Sequence, residues 1–495
     1  MNQAPYLFLQ KNGDAVNWHG NPHFFQGDRS KLFNEWVFDG ETLIAKNDRF
    51  GFRSLFFTKT ENSIIISPSL IKLLELGALT EFDDKAMAVF LRLGFFISDD
   101  TPFKSIKCFP PNSTLIWNKG NFDLQTKPQP KIIPSNLSRY EAVNIYRELF
   151  HQAIKRNLPA NENFALPLSG GRDSRHILFE LVSLGLRPKF CLTLKQVTTT
   201  LHQDVIIARK VAKALKIPHI VLEQGVSRLE AELRKNLMTH FCSDEHAWYL
   251  PLADFAENRI GTIYDGIAGD VLSGDVLWGG FNLPQMNKYY QNGDFISFAD
   301  VLFDGEAYLP YLLTSLKYKQ LSRDLAIEHL VTELEKHAGM PNPLGSFHFW
   351  NRTRREIALA TFSILDLSTP VLTPYLDFEF FDFMTSLPIE LTIDGELHTE
   401  VIQKAYPQWQ HLPFEAKQAI LQPDTSSFRK FGREILNYVY SRNGVKFTRR
   451  SFVVPRVLRI LLDADYSQSI NWFAPQTVYL VQLERMLQDL KTEPK

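Results

Sequence analysis

The chain has 495 residues, more than one core usually holds, so two or three domains are expected. Its 54 Lys and Arg nearly cancel 55 Asp and Glu, so no overall field calls for nucleic acid or a membrane surface. Three cysteines (Cys108, Cys191, Cys242), no visible secretory leader and no apolar run near the ~18 residues of a membrane helix point to a soluble cytoplasmic protein without a disulfide framework.

In chain order, residues 35 to 67 alternate short strand-like runs with turns ("EWVFDG", "TLIAKND", "SLFFTKT", "SIIISPS"), which predicts antiparallel pairing. Helical periodicity follows in "PSLIKLLELG" and "DDKAMAVFLRLG", each closed by Gly, before "PPNSTLIWNKGN" returns to strand and turn. Residues 121 to 137, with Pro128, Pro130 and Pro134, read as a linker. Ser138 and Glu141 then have the spacing of a capping box ahead of the apolar-periodic "AVNIYRELFHQAI", where a second domain is expected to start. Beyond it strands and helices alternate: "FALPLS", a helix from about Ser174, "KFCLTL", a helix around "DVIIARKVAKALK", "HIVLE" and "GTIYDG". This pattern predicts a parallel sheet with helices on its faces. After about residue 280 the reading is helix and loop. The 39 Phe residues fit core packing first and an enlarged apolar substrate pocket second.

Between "FALPL" and the next helix stands Ser169-Gly170-Gly171-Arg172-Asp173-Ser174. A Gly-rich turn from a parallel strand into a helix N-terminus presents backbone N–H groups and the positive end of the helix dipole, which together suit phosphate. Ser169 and Ser174 add hydroxyls. Asp173 makes little sense against bare phosphate and good sense as a ligand of a Mg²⁺ bridging phosphate oxygens.

This hexapeptide resembles the pyrophosphate loop of the PP-loop ATP pyrophosphatases, and three further stretches resemble the asparagine synthetase family within them. "KFCLTLKQVTTTLHQDVIIARKVAKALKIPHIVLE" is similar to the family's second strand and helix, with Asp204 at the helix start. The run from Asp265-Gly266-Ile267 through Asp270 to Gly274 resembles its G-E-G-x-D-E-x-x-x-G turn. Thr373-Pro374-Tyr375-Leu376-Asp377 resembles its P-F-L-D segment, and "HTEVIQKAYPQWQHLPFEAK" the segments after it.

The resemblance implies a fold and a set of roles. Residues 136–495 would form an α/β PP-loop (adenine nucleotide alpha hydrolase-like) parallel-sheet synthetase domain. Residues 1–135 would form a truncated antiparallel α+β glutaminase-like domain, with Asp48-Arg49-Phe50-Gly51 as the D-R-x-G turn. Leu168, Ser169, Gly170, Gly171, Asp173, Ser174, Leu194 and Gly266 would bind ATP. Backbone groups near Cys191 to Leu194 would take the adenine, Asp173 and Asp270 would hold Mg²⁺, and Lys417 with Asp270 would be catalytic.

Two departures narrow the implied reaction. Residue 2 is Asn, not the cysteine of glutamine-dependent members, and the R-G-P-D and N-G-E segments are absent, so no ammonia from glutamine is expected. Ile267 replaces the Glu or Tyr that would serve the second half-reaction, leaving Asp366, Asp265 and His398 as substitute bases. These changes resemble β-lactam synthetase and the lasso-peptide cyclases. They imply adenylation of a small-molecule or peptide carboxylate, loss of pyrophosphate, and coupling to an amine. An ammonia-dependent asparagine synthetase and a silent nucleotide-binding scaffold are the alternatives. Arg172, Arg175 and His176 are basic where the family more often has apolar or small residues.

Two further groupings stand outside this frame. His240, Cys242 and His246 would supply three zinc ligands, but no fourth is near in sequence and the segment reads as helix. Arg429, Lys430, Arg433, Arg442, Lys446, Arg449 and Arg450, interleaved with Phe and Tyr, read as a solvated basic face, with contacts to an acidic substrate, a peptide or ATP phosphates as the second reading.

Overall fold

The computed structural model describes residues 4–128, 132–195, 202–274, 283–303, 306, 308–414, 423–440 and 446–492. The first part of the chain forms two antiparallel sheets of five strands each. One runs in the order Ala15–Gly20, Leu7–Asn12, Ser63–Ser67, Phe56–Lys59, Ile106–Cys108. The other runs Asn121–Thr126, Ser113–Asn118, Thr42–Asn47, Phe33–Phe38, His23–Gly27. Alternate residues of both point into a shared core of Leu7, Leu9, Ile64 and Ile66 against Trp36, Leu43, Leu115 and Trp117, as expected where each sheet has one dry face.

The outer face of the first sheet meets the helices Leu70–Glu75 and Asp84–Leu93. Six residues of the second helix are buried, and its partners are the distant helices Phe295–Leu302, Arg323–Glu335 and Ile470–Thr492. That core therefore draws on both ends of the chain. The four strands expected between residues 35 and 67 are present. Three further strands precede them, outside the sequence expectation, and the stretch expected as a linker opens with the strand Asn121–Thr126.

The capping box at Ser138 and Glu141 is formed in both directions and opens the helix Arg139–Arg156. A parallel sheet follows in the order His219–Leu222, Phe190–Leu194, Phe164–Pro167, Thr262–Tyr264, Val371–Leu372. One face packs Leu166, Leu168 and Cys191 under the helices Arg139–Arg156, Asp173–Ser183 and Gln203–Ala214, while the other packs Ala165, Leu192 and Ile263 against Leu250–Ala256. The chain winds outward from Phe164–Pro167 in one direction and then crosses to Thr262–Tyr264 on the other side. Between the carboxyl ends of those two strands lies the switch point at which open α/β sheets bind ligands.

Phe50 and Phe52 carry the sandwich into the parallel-sheet core, and Arg49–Asp382 and Arg53–Asp366 pair across the same junction. No helix among the described residues is long and apolar enough to cross a membrane.

Candidate active site

The turn Leu168–Ser174 closes on itself. Ser169 N–H donates to Ser174 Oγ (3.1 Å), and Gly171 N–H donates to Ser169 Oγ (3.1 Å). The helix Asp173–Ser183 starts with no side-chain cap, so its first N–H groups face out from the positive end of the dipole. Thr193 Oγ donates to the Leu168 carbonyl (2.6 Å), fixing the turn to the neighbouring strand. One donor is already engaged: Gly170 N–H reaches Asp204 Oδ1 at 2.6 Å.

The second turn, 265 to 270, lies directly against the first. A Cβ on Gly266 would stand 2.9 Å from Asp173 Cβ, and one on Gly269 would stand 2.6 Å from Asp173 Oδ1. Only glycine admits that approach. Ala268 between them is left-handed, with φ 74°, which strains a residue with a Cβ.

Together the turns line a crevice of about 300 Å³. Leu168, Ser169, Asp173, Ser174, Leu194, Gly266 and Asp270, named from the sequence, all line it, as do Leu192 and Thr193 from the stretch assigned to adenine. Gly170 and Gly171 shape the turn without being among the lining residues. Lys417 lies outside the described residues.

The crevice wall also contains residues that sequence reasoning did not assign to it, among them His246, Trp248, Tyr249, Ile357 and Thr361. Their signal was faint: "EHAWYL" is an aromatic run with no motif, and Thr361 lies in a helical stretch. Asp265, a suggested base, is buried and accepts from Tyr249 Oη (2.5 Å), Thr361 Oγ1 (3.1 Å) and Ile267 N–H (2.8 Å). Burial nevertheless raises its pKa. Asp366 does not line the crevice: it pairs with Arg53 and accepts from Val371 N–H.

His398, the third suggested base, stands behind Asp173. Its Nδ1 lies 3.3 Å from Asp173 Oδ1, and its Nε2 lies 3.0 Å from His176 Nδ1 and 3.2 Å from Tyr375 Oη. Burial, then the facing His398, pushes His176 well below the ordinary imidazole range. The basic residues of the turn have a structural explanation. Arg172 donates to Thr399 Oγ1, while fully buried Arg175 donates to the carbonyls of Leu412 and Pro413 and stacks on Phe414. Burial, then Arg172, draws Arg175 down to about 10. Both arginines tie the turn to residues 399 to 414.

The expectation that the His240 to His246 segment is helical is corrected. The helix ends at Met238, and His240, Phe241 and His246 all have positive φ, so residues 240 to 246 are not a helix face. Cys242 Sγ turns to the His240 carbonyl at 3.5 Å, and His246 is brought instead to Glu245 and Glu356. Of the basic tail, Arg429, Lys430 and Arg433 lie on the helix Thr425–Tyr440, and Arg449 binds Ser315 Oγ; Arg442 is outside the described residues. The described residues of this group do not line the crevice.

No family model matches the chain, and no curated protein matches it. Among solved structures, NMN synthetase from Francisella tularensis overlaps 58% of this chain and 100% of its own, at 15% identity and a TM-score of 0.19. Glutamine phosphoribosylpyrophosphate amidotransferase from B. subtilis, complexed with ADP and GMP, overlaps 49% of this chain and 44% of its own, at 10% identity and a TM-score of 0.14.

Proposed function

We propose that the chain is an ATP- and Mg²⁺-dependent ligase that adenylates a substrate carboxylate, releases pyrophosphate and passes the acyl group to an amine without drawing ammonia from glutamine. One observation carries this reading. A glycine turn, an uncapped helix N-terminus and two carboxylates on adjacent turns converge on one crevice at the sheet's switch point.

In this reading the turn 168–174 takes the β- and γ-phosphates on its N–H and hydroxyl groups. Asp204 yields the Gly170 N–H as phosphate arrives. Leu192 to Leu194 border the adenine. Asp173 and Asp270 fit a cation, since both line the crevice and Gly266 and Gly269 clear the space at Asp173 that a Cβ would fill. Mg²⁺ held there would neutralise phosphate oxygens and favour departure of pyrophosphate. His398 and Tyr375 orient Asp173 from behind.

Ile267 offers no proton acceptor to the incoming amine, and Asp265 is committed to three donors. The amine therefore meets the acyl group on a wall made of Ile267, Trp248 and Tyr249, with its proton taken by a group other than residue 267. A small-molecule or peptide acceptor fits this apolar wall.

Pyrophosphate release, measured with ATP, Mg²⁺ and panels of carboxylates and amines, tests the proposal. Release that depends on a carboxylate and falls by at least about 10²-fold in Asp173→Ala is expected. ATP hydrolysis without a carboxylate requirement, or no release with any mixture, contradicts it.

A further inference from the structure

Beside the nucleotide turns, one wall of the crevice carries a second polar cluster with no part in the reading above. His246 lines the crevice, and Arg352 and Glu356 lie one turn apart on the helical segment Phe349–Ile357, which is wound wider than an α-helix. Wide turns of this kind recur at functional sites. Ligand atoms of Glu245, His246 and Glu356 all lie within 4.8 Å of one another. Among the described residues no other group of His, Cys, Asp or Glu comes together in this way.

Two of these atoms lack the partner that burial demands. His246 is 7% exposed and Glu356 is 1% exposed, yet His246 Nδ1 has no hydrogen-bond partner and Glu356 Oε1 has no N–H donor, only the facing Asp244 carboxyl near its side chain. Leaving such atoms unsatisfied in a low-dielectric interior is costly, and a bound ion is one of the few ways to meet both.

Charge gives a separate argument. Arg352 reaches Glu245 at 3.1 Å and Glu356 Oε2 at 3.2 Å, and Lys235 reaches Glu232 at 3.5 Å. Asp244 faces Glu356 carboxyl to carboxyl, against Gly94, whose missing side chain makes room for it. Four carboxylates (Glu232, Asp244, Glu245, Glu356) thus share two cations (Lys235, Arg352). A proton shared between Asp244 and Glu356 leaves one excess negative charge in this mostly buried cluster, and a divalent ion that displaces the proton balances all four carboxylates.

We propose that Glu245, His246 and Glu356 bind a divalent transition-metal ion, such as Mn²⁺ or Zn²⁺, at a site separate from Asp173 and Asp270. The donor set selects the class: one imidazole with two carboxylates suits Mn²⁺, Zn²⁺ and Fe²⁺ better than Mg²⁺, which prefers oxygen alone. Holding the three donors about 2.1 Å from one ion brings them about 3 to 3.4 Å apart, from a present spacing of at most 4.8 Å. Arg352 keeps Oε2 of each glutamate, leaving Glu356 Oε1 to the ion. The site does not depend on the amide-forming reading, because its ligands are not those of the nucleotide turns.

The test uses the full chain after chelation and desalting, with Mn²⁺ or Zn²⁺ alone as the probe. One equivalent is expected to survive gel filtration in the wild type and in Asp173→Asn. His246→Ala and Glu356→Gln, shown folded by circular dichroism, are expected to weaken binding by more than the 10- to 100-fold that an outer-shell change costs. Electron spin-echo modulation from histidine nitrogen on wild-type-bound Mn²⁺ reports the imidazole directly, whether or not the variants fold. Less than one equivalent in the wild type, no nitrogen signal, or full retention in folded His246→Ala overturns the proposal. So does protection of the cluster by an organic amine with no uptake of metal.

Discussion

Two aspartates sit in tight, glycine-bearing turns, and they do opposite things. Asp48, in Asp48-Arg49-Phe50-Gly51, is buried, and its carboxylate accepts the N–H groups of Phe50 (2.7 Å), Gly51 (3.0 Å) and Phe33 (2.9 Å). It ties two strands of the sandwich together. Asp173, in Ser169-Gly170-Gly171-Arg172-Asp173-Ser174, keeps about a quarter of its side chain exposed and lines the crevice, with His398 behind it. The difference comes from what engages each carboxylate: the N–H groups of Phe33, Phe50 and Gly51 take up Asp48 although its turn borders a cavity of about 330 Å³, whereas Asp173 stands at the open ends of parallel strands. A carboxylate in a turn is structural when backbone N–H groups consume it, as they do at Asp48 even beside a cavity.

The contrast is broken most severely by exchanging effects between the two sites. Asp173→Ala is expected to lower pyrophosphate release by about 10²- to 10³-fold with little change in unfolding free energy. Asp48→Ala is expected to cost about 2 kcal/mol of stability by leaving buried N–H groups unpaired, with turnover of the folded fraction unchanged. Urea denaturation and turnover measured on the same preparations separate the two. A stability loss at Asp173 matching that at Asp48 would erase the distinction.

pH sharpens it. Burial, opposed by the three N–H donors, holds Asp48 up at about 6 from 3.8. Below about pH 4 this carboxyl is protonated in the folded and unfolded states alike. Above about pH 6 it is ionised in both, and the folded state carries a burial cost of about 3 kcal/mol. The group's contribution to stability is therefore highest below pH 4 and falls as pH rises through 6. Asp48→Asn should lack that decline, so the stability difference between wild type and variant should change across this window. Parallel curves would contradict the assignment.

A smaller effect concerns the anion side of the active turn. Asp204 accepts the Gly170 N–H that phosphate would take in the proposed reading. Asp204→Asn removes a negative charge from that point and is expected to tighten pyrophosphate binding by a few-fold, about 1 kcal/mol, as for unit charges about 4 Å apart in a water-like dielectric. Weaker binding in the variant would instead make Asp204 a part of the phosphate cradle.

Much of this architecture was legible in the sequence, and the reasons are physical. "FALPL", "KFCLTL", "HIVLE" and "GTIYDG" are strands of buried and half-buried apolar residues, so their apolar runs stand out. The strands Leu7–Asn12, Ala15–Gly20 and His23–Gly27 were not, because most of their residues are exposed and no sustained alternation survives. Asp173 and Asp270 were named through the resemblance of their turns to a known family, and both line the crevice. His246, Trp248, Tyr249 and Thr361 could not, since they reach the crevice from segments far apart in sequence, and the left-handed backbone that aims His246 has no glycine to announce it. Arg175 was conspicuous as an anomaly, but its role depends on Leu412 and Pro413, more than 200 residues away.

The central claim is that the crevice at the switch point takes a nucleotide through the turn 168–174 and the carboxylate of Asp173. Calorimetric titration of a non-cleavable α,β-methylene ATP with Mg²⁺ tests it without knowledge of the carboxylate substrate. Saturable one-to-one binding is expected in the wild type and in Asp48→Asn, weakened at least about tenfold in Asp173→Ala, a loss of about 1.4 kcal/mol. Absence of binding in the wild type, or equal binding in Asp173→Ala, would contradict the account.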